Sequence, residues 1–141
     1  MKTSVSALAS VLLLASSLTA LAEQLPSETK PSPLVIENLS GKPMACGLLF
    51  AHWYRQDFPA VDTGSSVTLP LDLAPETETV YLLNSVNHPM SVQDLFCAAS
   101  GTSWTKVTHL DYRALALQAV QRPQRVVCIS DNGALSCSGT P

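Results

Sequence analysis

The sequence predicts a mainly β fold, a β-rich α+β domain. The expected architecture is a small antiparallel sandwich or partly open barrel with one or two short helices and two disulfides. Three observations lead there. Residues 66–73 alternate cleanly between polar and apolar side chains. Asn132-Gly133, the dipeptide a type I′ turn favours, sits midway between Cys128 and Cys137. Four cysteines, an even number, follow an N-terminal apolar run of the secretory kind.

The N-terminal segment reads as a signal peptide over residues 1–22. Lys2 is its positive charge, Val5 to Ala15 its apolar stretch, and Ala20-Leu21-Ala22 an A-x-A cleavage signal. The stretch is shorter than the ~20 residues a membrane span needs, and no later segment is long and apolar enough. The expected mature chain of about 119 residues can bury a core. Lys2 is the only charge removed, so the formal charge moves from −3 to −4. An acidic chain without a Lys/Arg cluster argues against nucleic acid as a partner.

Residues 23–33 are polar, contain Pro26, Pro31 and Pro33, and read as a flexible leader to a single domain at 34–141. A strand is expected at 34–39, followed by a turn at Gly41-Lys42-Pro43. Residues 44–54 read as one long central strand. Cys46, Leu48, Phe50, His52 and Tyr54 share one face; Ala45, Gly47, Leu49, Ala51 and Trp53 share the other, with Trp53 toward the core. Val67, Leu69, Leu71 and Leu73 form the buried face of the alternating segment, and Pro70 marks it as an edge or a bulge.

A strand at 80–84 ends at Asn87-His88-Pro89. Ser91 and Asp94 resemble a capping box, and Val92, Leu95, Phe96 and Ala99 recur at helical spacing, so a short helix is expected from Val92 to about Ser100. Residues 104–110 read as a strand. Residues 112–120 fit a helix by composition and a strand by alternation, and Pro123 ends either. Counting outward from Asn132-Gly133 places Cys128 opposite Cys137 in a close, non-hydrogen-bonded pair. That pairing leaves Cys46 with Cys97. The spacing of the four cysteines matches no zinc pattern.

The densest aromatic and polar cluster is His52-Trp53-Tyr54-Arg55 with Asp57. His52, Tyr54, Arg55 and Asp57 are the candidate contact residues for a protein or glycan surface. Met44, His52, His88 and Met90 are ligand types that hold copper, so a periplasmic copper-handling role is the first alternative. A minor hydrolase is the second: His109 and Asp111 stand two apart on a predicted strand, although no G-x-S-x-G occurs. Asn38-Leu39-Ser40 is an N-glycosylation acceptor sequence, and Asn38 is equally suited to a turn. The resulting expectation is an exported, non-catalytic binding or accessory protein, periplasmic or secreted, without a cofactor.

Overall fold

The computed structural model describes residues 28–102 and 106–140. The expected signal peptide lies outside the described residues, as does Trp104, the start of the strand expected at 104–110. Eleven strands and one α-helix are described: β1 (Lys30–Pro31), β2 (Leu34–Asn38), β3 (Met44–Phe50), β4 (Arg55–Asp57), β5 (Ser66–Leu69), β6 (Leu71–Ala74), β7 (Thr79–Leu83), β8 (Pro89–Ala99), β9 (Thr108–Leu110), α1 (Tyr112–Gln121), β10 (Gln124–Asp131) and β11 (Ala134–Thr140). One sheet runs β1-β6-β7-β8-β3-β4, with β9 also on β8; the other runs β11-β10-β2-β5. All pairs are antiparallel except β10 with β2. The whole is a curled half-barrel, as the alternating segments predict.

The expected strand at 66–73 is divided at its proline. Pro70 has no N–H to give a ladder, and here it separates β5, which pairs with β2, from β6, which pairs with β7. Leu69, Leu71 and Leu73 stay buried across the joint. One apolar face therefore serves both sheets, and that continuity curls them around a common core.

Both disulfides form as expected. β10 and β11 meet with Asp131 opposite Ala134 and Cys128 opposite Cys137, around positive φ at Asn132 and Gly133. Cys46 and Cys97 are bonded and also lie directly opposite each other. Cys97 sits on a strand, however, not on the helix expected at 92–100. The register explains why the pattern misled. Leu49 faces Asp94 but Phe50 faces Val92, so Gln93 is an extra residue in β8. A bulge shifts strand parity by one. Val92 and Leu95 therefore both reach the core although three residues apart, which is helical spacing produced by a strand.

The ambiguous segment at 112–120 is helical. Asp111 caps α1 by accepting a hydrogen bond from the Ala114 N–H at 3.2 Å. Tyr112, Leu115, Ala116 and Ala119 are its buried residues, spaced i, i+3, i+4 and i+7. The Tyr112 hydroxyl donates to the Val92 carbonyl at 2.9 Å, and buried Ser32 donates to the Ala116 carbonyl at 2.7 Å. Ser32 and β1 fall within the segment read as a leader, so the sheet begins before Leu34. β9 takes up only the last three residues of the strand expected at 104–110.

Asn38 is buried at the end of β2, where the chain enters a turn. Its amide donates to the Lys42 and Val61 carbonyls, both at 2.7 Å, and its Oδ1 accepts from the Ser40 N–H and hydroxyl. The side chain ties the 39–43 turn to the chain before Asp62. Among the described residues, no helix is long and apolar enough to cross a membrane.

Candidate functional site

The strand expected at 44–54 stops at Phe50. Ala51, His52 and Trp53 form a short 3-10 turn, and the chain returns as β4 alongside β3, with Arg55 opposite Leu49 and Asp57 opposite Gly47. The Phe50 N–H donates to the Tyr54 carbonyl at 2.8 Å and closes the loop. Trp53 is 87% exposed, which corrects its expected place in the core. Alternation continued past Phe50 because both faces of this segment are apolar, and no glycine, proline or asparagine marks the turn. His52 and Trp53 instead take positive φ, 63° and 64°. Bulky side chains rarely adopt that region, at a cost of roughly 1–2 kcal/mol per residue.

The four candidate contact residues divide between two places. His52 and Tyr54 belong to the loop. Tyr54 is 57% exposed and stacks on buried Phe50, with ring centroids 5.9 Å apart. Arg55 and Asp57 stand on the outer face of the sheet and form an ion pair at 2.6 Å.

The register extends this outer face across four strands. Asp57 faces Gly47, Gly47 faces Phe96, and Phe96 faces His109. In the next row Arg55 faces Leu49 and Leu49 faces Asp94. The Arg55 guanidinium lies 4.9 Å from the centre of the Phe96 ring, within cation–π reach. His109 Nδ1 is 2.8 Å from the Asp94 carboxylate. The face thus carries two polar pairs, Arg55 with Asp57 and His109 with Asp94, on either side of an aromatic ring.

A cleft of about 300 Å³ joins this face to the loop, lined by Leu49, Phe50, Ala51, His52, Trp53 and Gln93. A second cleft, of about 190 Å³, shares Phe50, Ala51 and His52 with the first and is also lined by Tyr54, Pro89 and Met90. Gln93, Asp94 and Phe96 were absent from the expected site because the sequence placed them on a helix. Gly47, a glycine inside a predicted strand, was the available signal, because such a position marks a close approach.

His109 pairs with Asp94 rather than with Asp111, whose carboxylate is spent on capping α1. Among the described residues, no serine, threonine or cysteine side chain is hydrogen-bonded to His109. Of the four copper-type side chains, His52 and Met90 share the second cleft, and His88 is exposed in the preceding turn. Met44 is buried at the far end of β3, roughly 20 Å along the strand from the loop. The sulfurs of Cys97, Cys128 and Cys137 lie within 4.8 Å of one another, but all are in disulfides and form no ligand set.

No protein-family model matches the chain, and neither the curated proteins nor the solved structures include a significant match to it.

Proposed function

We propose that the chain is an exported, non-catalytic binding protein, an accessory or inhibitor-type module. Its partner, a protein or a surface glycan, contacts the His52–Tyr54 loop and the adjoining sheet face of Arg55, Asp57, Asp94 and His109. Export is supported by the N-terminal run ending in Ala20-Leu21-Ala22 and by two disulfides, which persist in oxidising compartments.

One observation carries the binding reading. A tryptophan is held out into solvent on two consecutive residues of left-handed backbone. Folding gains little from so exposed a ring, yet the loop bears the strain of presenting it. Strain of this kind concentrates where a surface is used, and tryptophan, tyrosine and arginine dominate binding energy at interfaces.

Affinity capture tests the reading. The mature chain is immobilised and challenged with the native exported fraction, and in parallel with a glycan array. The expected result is a protein or a glycan retained by the wild type and reduced at least tenfold by Trp53→Ala and by Arg55→Ala. A partner retained equally by all three would contradict the assignment.

The copper reading keeps one supporting observation, His52 and Met90 lining the same cleft. Titration with Cu(I) and Cu(II) addresses it: one-to-one nanomolar binding abolished by His52→Ala would put metal handling first.

A further inference from the structure

The two disulfides meet in the core. Each native bond joins neighbours within a sheet, β3 to β8 and β10 to β11. The Sγ of Cys97 nevertheless lies within 4.8 Å of both Cys128 Sγ and Cys137 Sγ. Cys46, Cys97 and Cys128 are buried, whereas Cys137 is half-buried on β11, the edge strand of its sheet. Cys137 is the least buried of the four residues and stands on an edge strand, so it is the one an external thiolate is expected to reach first.

We propose that Cys137 is a thiol-exchange site and that opening it passes the exchange across the core to the second disulfide. An external thiolate attacks Cys137 Sγ. A new sulfur–sulfur bond forms there, the Cys128–Cys137 bond breaks, and its electron pair leaves on Cys128. Cys97 of the other disulfide lies within 4.8 Å of Cys128, so its sulfur is within reach of the new thiolate. Cys128 attacks Cys97 Sγ, the Cys128–Cys97 bond forms, the Cys46–Cys97 bond breaks, and Cys46 leaves with the electron pair and takes up the proton that the external thiol gave up. Two disulfides existed before, and two exist afterwards: one to the external thiol and one between Cys97 and Cys128. One thiol is consumed and one released, with no net oxidation. The new internal bond joins β8 to β10, clamping one sheet to the other. The ligand class is a thiol, either a small monothiol or the dithiol of an exchange protein. With a dithiol, the second sulfur resolves the mixed bond and returns Cys137 as a free thiol.

The folded wild-type protein is treated with reduced glutathione at mildly alkaline pH, quenched with acid, denatured and alkylated. It is then cleaved before aspartates without reduction, which separates Cys128 from Cys137 at Asp131. The expected products are glutathione on Cys137, a linked 97–128 peptide pair, and alkylated Cys46 in amounts equal to the glutathionylated Cys137. A parallel arm with dithiothreitol should give the same 97–128 pair with alkylated Cys137 in place of the mixed disulfide. Glutathione on Cys137 with Cys128 alkylated and 46–97 intact would overturn the transfer. Glutathione found first on Cys46 or Cys97 would overturn the assignment of Cys137. The variant Cys137→Ser supplies the Cys128 thiol without any external reagent and should yield the same 97–128 bond with free Cys46. If that variant fails to fold, the wild-type arms decide alone.

Discussion

The ring of Phe96 lies on the bare backbone of Gly47. A Cβ built on Gly47 would stand 2.6 Å from the ring and 2.7 Å from the Asp57 carboxylate. The two residues face each other across β3 and β8, and Arg55 covers the ring from outside. This close approach, rather than any unusual φ, is why position 47 is glycine.

Gly47→Ala should therefore cost roughly 1–3 kcal/mol, the price of overpacking a filled site. In a Phe96→Ala background the same change should cost less than about 1 kcal/mol, because the main obstacle is gone. Urea melts of the two single variants and the double variant measure the coupling. Additive costs would show that the ring does not rest on Gly47.

Asn38→Ala should lower stability by about 2–3 kcal/mol. It leaves the Lys42 and Val61 carbonyls without the amide donor that serves both. The same bonds occupy the nitrogen to which a glycan would attach, so intact mass should show Asn38 unmodified in folded material. A glycosylated protein with unaltered stability would refute this role.

Burial pushes the carboxyl of Asp72 above its ordinary value. Between the ordinary and the raised value the folded chain holds a proton that the unfolded chain has released. Stability therefore falls as pH rises through that window, and the loss persists at neutral pH. Asp72→Asn should melt slightly higher than wild type at pH 7, by less than about 1 kcal/mol. The gap should close below the ordinary carboxylate range, where both side chains are neutral. Thermal melts from pH 3 to 8 check the sign; a variant that is less stable at pH 7 would reverse it.

Much of the fold was legible in local signals. Asn132-Gly133 fixed the register that brings Cys128 to Cys137, and alternation from Val67 to Leu73 identified the face that both sheets share. Two features were hidden for physical reasons. The bulge at Gln93 converts strand periodicity into helical spacing, so Val92 and Leu95 read as one face of a helix. The turn at His52 and Trp53 uses left-handed backbone without the residues that normally announce it. Arg55 and Asp57 form an ion pair, and Asp94 joins them through β8, in the same register that sets Cys46 opposite Cys97, which the helical reading of 92–100 hid.

Under the proposed function, Trp53 serves contact and not folding. Trp53→Gly separates the two, because glycine accepts φ of 64° without strain and the lost ring was exposed. The decisive measurement is a denaturant melt of Trp53→Gly beside titration of the captured partner. Unchanged or higher stability, by up to about 1 kcal/mol, is expected, with binding weakened at least tenfold. A variant that loses several kcal/mol of stability, or one that binds its partner as the wild type does, would contradict it.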